Sequence, residues 1–286
     1  MENEVIQVSG GEMLEALNRS EIDMQIATAH KMPRDIMQCK ANMVALATID
    51  DSVAYNCFYH LERTDRNGQK SVIEGPSVRF TEIISTCWKN LRVAGRIVAN
   101  DGKTITAQGI CHDLESNVAY QVEVKRSIVN KYGSTFSQDM QVVVGNAAVA
   151  IAQRNAICKV VPMVLIKSVV NEVQAKAAEH IAKVGVQESW KQWVAYMQSQ
   201  YGVTEAMMLE YLEKDRDSLQ VADIQKMTGV YNAIQEGTTT VEETFKKPKQ
   251  QQQIAETAQK AAESAQEKAK QAMNRSQGAK GAAAKK

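Results

Sequence analysis

The spacing of apolar positions changes along the chain, and each change marks a change of predicted secondary structure. Up to about residue 48, apolar residues recur at helix-like intervals that Pro33 interrupts. After Ser52 they alternate with polar residues, which predicts β-strands. An apolar stretch rich in Val, Ala and Ile follows Ser137, a residue suited to cap a helix, and predicts a long buried helix.

In chain order, the predicted elements are a helical lead-in at 1–48, strands at 54–63 and 70–73 joined by a turn at 65–68, a helix at 77–89, three strands between 90 and 126, and helices at 138–161 and 163–183. This order fits an antiparallel sheet whose apolar side is covered by helices. The predicted fold class is α+β, with a β-hairpin, a helix, a three-stranded antiparallel sheet and a long helix in a core domain at 49–185.

Two further regions follow Gly185. Three amphipathic stripes, around Trp190, Met207 and Ile224, predict a small C-terminal helical bundle at 187–245. This bundle is either a self-contained core or a module that docks a protein partner. Residues 246–286 combine a Gln run, repeated Ala and scattered Lys, which is typical of a disordered basic tail.

The three strands between 90 and 126 carry the most informative alternation. An Asp-Gly pair is typical of a two-residue hairpin turn, and the pair before Lys103 sets Arg92 opposite Cys111. A second reversal sets Ala107 opposite Lys125. One face is then apolar, and the other carries Arg92, Arg96, Gln121, Glu123 and Lys125 around the small residues Ala107, Gly109 and Cys111. That second face is either a basic floor for a polyanion or the solvated outer face of an antiparallel sheet.

The net charge of +1 hides an uneven distribution. From Phe245 to the end the chain has ten Lys or Arg and three Glu, which leaves 24 basic and 30 acidic residues before it. Within that acidic body, residues 79–170 hold eleven basic and six acidic residues. Localised positive charge of this kind is the footprint expected of a nucleic-acid-binding protein.

The five cysteines are widely spaced and include no CxxC pair, which favours reduced thiols over a disulfide frame or a zinc site. The chain starts with an acidic stretch and has no apolar run long enough for a signal peptide or a membrane span. We therefore expect a cytoplasmic protein without a membrane partner.

A catalytic alternative rests on three residues. Asp113, Glu123 and Lys125 resemble the spaced acids and lysine with which metal-dependent nucleases hold magnesium. The expected register counts against this site, because it places the two carboxylates on the order of 13 Å apart. The four histidines show no metal-ligand spacing, and no glycine loop followed by Lys could cradle a phosphate.

Four sequence segments resemble a known group of proteins: IEGPSVRFTEIISTCWKNL from Ile73, RIVANDGKTITAQGICHDLESNVA from Arg96, EVKRSI from Glu123 and AIAQRNAICKVVP from Ala150. Together they resemble single-strand annealing recombinases of bacteriophages and prophages, of the Redβ, RecT, Erf and Sak types. The similarity spans about residues 40–175. It implies the same order of core elements, and an ATP-independent protein that coats single-stranded DNA, assembles into rings or filaments and pairs complementary strands in a bacterial host cell.

The resemblance also implies that residues 187–245 dock a phage exonuclease or the host single-strand-binding protein, and that no catalytic residue, metal or cofactor is needed. The expected DNA-binding residues are Arg79, Lys89, Arg92, Arg96, Lys125, Arg126, Lys131, Arg154 and Lys159. Arg79 and Arg154 could instead be buried partners of Glu82 or Asp139. The competing hypothesis is an oligomeric structural or scaffold-type phage protein, which the Ala, Gln and Lys tail favours.

Overall fold

A computed structural model describes residues 10–64, 69–130 and 133–245. The predicted turn at 65–68, Lys131 and the basic tail at 246–286 lie outside the described residues. The helices are α1 Gly10–Lys31, α2 Ile36–Ala47, α3 Asp51–Tyr55, α4 Val78–Trp88, α5 Gln138–Val160, α6 Met163–Val184, α7 Val186–Tyr201, α8 Glu205–Leu212, α9 Val221–Gln235 and α10 Val241–Thr244. The strands are β1 Phe58–Thr64, β2 Lys70–Pro76, β3 Leu91–Asn100, β4 Thr104–Asp113 and β5 Val118–Ser127.

The predicted α+β class is confirmed, and polar caps set several of the helix starts. Asp35 accepts hydrogen bonds from the backbone N–H groups of Met37 and Gln38 at the start of α2, and Ser77 and Ser137 cap α4 and α5. One local prediction is wrong, because residues 54–57 were expected to begin a strand. Asp50 instead caps the short helix α3, so that β1 begins only at Phe58.

Contacts divide the chain into two compact units. The first unit comprises residues 1–191 and 219–240, and the second comprises residues 192–218 and 241–286. In the second unit, the rings of Tyr211 and Phe245 lie 5.6 Å apart beside the buried Met208 and Leu212.

Helix α9 therefore belongs to the first unit, although the sequence analysis placed it in a separate bundle at 187–245. It packs on β1, where the Asn232 amide donates hydrogen bonds to the carbonyl oxygens of Tyr55 and Phe58 at 2.7 and 2.6 Å. Gly229 lies so close to His60 that an added Cβ would be 2.7 Å from the His60 Cβ. The amphipathic stripe of α9 correctly predicted a buried helix face, but the surface it packs against is the hairpin rather than its neighbours in sequence.

The first unit contains two antiparallel sheets. Strands β1 and β2 form a hairpin, with Phe58 paired to Pro76 and Thr64 to Lys70. Strands β3, β4 and β5 form the second sheet in that order, and α5 packs across one of its faces. The main apolar core of the unit includes Cys39, Met43, Phe80, Ile84, Trp88, Cys111 and Ile166.

Two glycines allow α5 to approach the three-stranded sheet. Gly95 and Gly109 are paired across β3 and β4. A Cβ on Gly109 would lie 2.2 Å from the carbonyl carbon of Ala152, and one on Gly95 would lie 2.8 Å from side-chain atoms of Val149 and Gln153. Contact at this distance is possible only without a side chain, so the glycine pair fixes where the helix crosses the sheet.

The register of this sheet differs from the expected one by one position at both strand pairs. Arg92 pairs with His112 rather than Cys111, and Val124, not Lys125, pairs with Ala107. The first turn is longer than expected, since Asp101 accepts hydrogen bonds from the N–H groups of Lys103 and Thr104, and the pairing also shifts between Ile97 and Ala99.

Candidate nucleic-acid interface

The face of the three-stranded sheet opposite α5 is built of cross-strand rows. Successive rows read Arg92–His112–Ala119, Ala94–Ile110–Gln121, Arg96–Gln108–Glu123 and Ala99–Thr106–Lys125. We call this surface the basic face, after Arg92, Arg96 and Lys125. The structure confirms that these three residues share one face, because side chains of paired residues point to the same side of a sheet.

The small residues that were expected on the basic face lie on the other one. Ala107, Gly109 and Cys111 point toward α5, and Thr106, Gln108 and Ile110 take their place between the cations. Thr106 and Gln108 are almost fully buried on the central strand, whereas Arg96 and Lys125 on the outer strands are exposed. The floor between the cations is therefore polar and aliphatic.

Hydrogen bonds hold two of the three cations in position. Arg96 donates from Nε and Nη2 to the Gln108 side-chain oxygen at 3.3 and 3.1 Å. This partner is neutral, so it orients the guanidinium without cancelling its charge. Arg92 Nη1 lies 3.4 Å from the side-chain oxygen of Gln25 on α1, and Lys125 has no ion pair within the described part of the chain.

One acidic residue belongs to the same surface. Glu123 lies in the row of Arg96, two strands away. The face therefore carries three basic side chains and one carboxylate. Arg92 and Arg96 are four residues apart on one strand, on the order of 13 Å, which is a span for separate rather than shared phosphate contacts.

Arg154 does not have the DNA-contacting position that was expected for it. Its side chain is buried and forms an ion pair with Glu236, with Nη1 2.9 Å from Oε2. The guanidinium carbon also lies 4.6 Å from the ring centroid of Tyr59. Burial raises the pKa of Glu236, against the opposing effects of the Val78 N–H and Arg154. The buried role was foreseen as an alternative, but the partner is Glu236 rather than Glu82 or Asp139.

The other expected residues are spread over several surfaces. Arg126 lies on the α5 side of the sheet and donates to the carbonyl oxygen of Gly237. Arg79 on α4 and Lys159 on α5 are exposed, on helices rather than on the basic face. Lys89 is exposed three residues before Arg92 and is the C-cap of α4. Lys131 lies outside the described residues.

The carboxylates of the nuclease alternative point to opposite faces of the sheet. Asp113 lies on the α5 side and Glu123 on the basic face. Moreover, both oxygens of Asp113 accept hydrogen bonds from Arg34 at 2.5 Å, with side chains that are 6% and 7% exposed. Desolvation would raise the pKa of Asp113, but the bonds from Arg34 and from the backbone of Glu115 hold it below its usual range. The pair of acids therefore does not form a shared metal site.

Two residues of this region had no recognisable sequence signal. Gln108 orients Arg96 from the neighbouring strand, and a lone glutamine in a strand has no special pattern. Arg34 joins the α1–α2 connection to the β4–β5 turn through Asp113 and Glu115. Its partners are about eighty positions away in sequence, so only the tertiary structure reveals the pairing.

The five cysteines are free thiols. Burial raises the pKa of Cys57 and of Cys111 to about 12, and that of Cys158 to about 11. In the described ranges, no helix is long and apolar enough to cross a membrane. Over the same ranges, no three His, Cys, Asp or Glu side chains come together as a metal site. Comparisons with protein-family models, curated proteins and solved structures find no match.

Proposed function

We propose that this protein binds single-stranded DNA on the basic face and anneals complementary strands without ATP, in phage homologous recombination. The observation that carries the proposal is the placement of Arg92, Arg96 and Lys125 on one sheet face, on the side opposite α5, with Arg96 and Lys125 exposed. The resemblance to single-strand annealing recombinases supports the same function.

The chemistry of the face favours phosphates over base edges. Arg and Lys side chains neutralise phosphates and release condensed counterions, and this attraction is independent of sequence. The residues between the cations are Ala94, Thr106, Gln108, Ile110 and Gln121, and the one aromatic ring in the four rows is the imidazole of His112 beside Arg92, so the face is not a row of stacking rings. A strand held by its backbone keeps its bases available for pairing with a second strand.

Annealing by a coating protein also requires several copies side by side, and we propose self-association through the exposed edge of β3. Ile97 and Val98 are 48% and 41% exposed on this edge, and Val142 and Val143 are exposed on the N-terminal half of α5. Gly145, two residues later on α5, approaches the side chain of Ile97, so these apolar groups lie near one another. We further propose that the helices of 187–245 outside the first unit dock a phage exonuclease or host single-strand-binding protein.

The decisive test is a gel-shift in which one oligonucleotide, and then its complement, is added to the protein without ATP. The proposal predicts a shifted complex with the first strand and accelerated formation of duplex after the second. Polymerisation of the protein with no affinity for either oligonucleotide would favour the structural or scaffold-type alternative and contradict the proposal.

A further inference from the structure

A cleft of about 690 Å³ opens in the first unit between the β1–β2 hairpin and helices α5, α6 and α9. Its volume falls within the range of small-molecule and cofactor sites. None of Arg92, Arg96 and Lys125 lines it, so it is separate from the basic face. No motif in the sequence pointed to this cleft, because its lining comes from the β1–β2 hairpin, the consecutive helices α5 and α6, and α9, which are distant from one another along the chain.

One wall of the cleft is apolar. It is formed by Phe58 on β1 and by Met163, Ile166 and Val170 on α6. Phe58 and Ile166 are buried in the core, whereas Met163 is 40% exposed. A pliant methionine beside fixed apolar groups is suited to cover a flat ring.

The lining is also rich in side-chain amides, which both donate and accept hydrogen bonds, and two of them lie on α6 with the apolar residues. The four lining amides are Asn155, Asn171, Gln174 and Gln225. Gln225 donates to the backbone carbonyl of Gln174 at 2.7 Å, and Asn155 lies 3.4 Å from the Arg154 guanidinium. These contacts leave the side-chain amide of Asn171 and that of Gln174 available. A group with alternating donors and acceptors, such as the edge of a nucleobase, complements such a wall.

The charged residues of the cleft are paired, with one exception. Lys226 lies 2.5 Å from Glu62, Arg154 lies 2.9 Å from Glu236, and Glu74 accepts from His60 Nδ1 at 2.5 Å. Lys167, by contrast, is exposed and makes no ion pair or hydrogen bond with any described residue. A single lysine without an ion pair, in a cleft whose other charged side chains are paired, favours a ligand with one anionic group.

From these walls we propose that the cleft binds a single nucleotide. The base lies against Met163 and the half-buried Val170, the amides of Asn171 and Gln174 bond to its polar edge, and Lys167 pairs with its phosphate. A free mononucleotide and one nucleotide of a DNA strand both have a base and a phosphate, so this chemistry fits either source. The site does not depend on strand annealing, because its walls contain no part of the basic face.

The test measures binding of dTMP to the full-length protein by isothermal titration calorimetry, with thymidine and inorganic phosphate as partial ligands. We expect dTMP to bind more tightly than either fragment. Lys167→Ala should weaken dTMP binding by about 5- to 20-fold, since a charge-assisted contact is lost. Lys176→Ala is the matched control: it removes an exposed lysine nine residues along the same helix, half a turn off in direction. Ala222→Phe fills the mouth of the cleft from an exposed position and should weaken dTMP and thymidine alike.

Absence of dTMP binding, or equal loss in Lys167→Ala and Lys176→Ala, would overturn the proposal. An oligonucleotide arm distinguishes the source of the nucleotide. If the cleft holds a residue of the bound strand, Lys167→Ala weakens oligo-dT binding and dTMP competes with it; if it holds a free nucleotide, oligo-dT binding is unchanged. A variant that lacks the cations of the basic face but still binds dTMP would separate this site from the proposed DNA surface.

Discussion

Gly95 and Gly109 face each other across β3 and β4 on the α5 side of the sheet, and the backbone of α5 passes over them. The contact with Ala152 leaves no room for a Cβ on Gly109. Because α5 packs on this side, Arg96 and Lys125 lie on the side that α5 does not cover, and both are exposed. The two glycines therefore determine how closely α5 packs on the sheet.

Substitution of Gly109 tests this packing. Gly109→Ala should lower the free energy of unfolding by about 2–4 kcal/mol, because the added Cβ forces α5 away from the sheet. Gly75→Ala on β2 is the matched control, since its Cβ would meet only the movable ring of Tyr59 at 3.1 Å. Chemical denaturation measures both variants, and equal stability of the two would contradict the close approach of α5.

The ion pair of Arg34 and Asp113 predicts a pH-dependent stability. The pKa of Asp113 is lower in the folded protein than in the unfolded chain, where it is about 3.9. The ionised carboxylate therefore contributes its full stabilisation above that unfolded-state pKa, and this stabilisation is lost as the pH falls through the folded-state pKa. Arg34→Ala should cost about 3 kcal/mol near neutral pH, since it leaves a buried carboxylate unpaired. Denaturation from neutral to acid pH checks this: the gap between wild type and variant should narrow below about pH 4, and a constant gap would argue against the pair.

Arg154 is expected to act on stability rather than on DNA affinity. Arg154→Ala leaves Glu236 without its cation and should destabilise the protein by about 3–5 kcal/mol. Arg154→Met retains the apolar volume beside Tyr59 and, combined with Glu236→Gln, should recover most of that loss. Single-stranded DNA binding by the folded double variant should equal that of wild type. Weaker binding of single-stranded DNA by that variant would show that Arg154 contributes to DNA affinity.

The position of α9 predicts the outcome of truncation. A chain ending at residue 185 lacks the Asn232 bonds to the β1 region and exposes the surface that α9 covers. We expect faster amide hydrogen exchange over residues 58–76 in this truncation than in the full chain. Asn232→Ala, a smaller change, should accelerate exchange in the same region to a lesser degree. Full protection in the truncated chain would show that the hairpin does not need α9 for its stability.

Local signals predicted most elements, whereas pairing between distant segments was not predictable from sequence. Caps such as Ser77 and Ser137 act within one helical turn, so their helices were placed almost to the residue. The partner of α9 was missed, because an amphipathic stripe specifies burial but not the surface that provides it.

The shared face of Arg92, Arg96 and Lys125 was predicted correctly although the register, and with it the small residues expected between them, was wrong. A one-residue slip transfers a strand's side chains to the other face, and β4 slipped by one position relative to both of its neighbours. The two errors moved only the central strand, so Arg96 on β3 and Lys125 on β5 remained on a common face while Gly109 and Gln108 exchanged sides. The longer turn after Asn100 depends on hydrogen bonds that the Asp101 side chain accepts from the N–H groups of Lys103 and Thr104, which the Asp-Gly pair alone does not specify.

The most direct test of the account is the affinity for oligo-dT, measured against salt concentration, of the variant Arg92→Gln, Arg96→Gln and Lys125→Gln. Its control is Lys176→Gln, Lys183→Gln and Lys191→Gln, which removes the same charge from exposed positions on α6 and α7. For the basic-face variant we predict at least about tenfold weaker binding and a slope of log K against log salt that is shallower by about 2, at about 0.7 per lost phosphate contact. A folded basic-face variant that matches the control in affinity and slope would contradict the proposed DNA-binding surface.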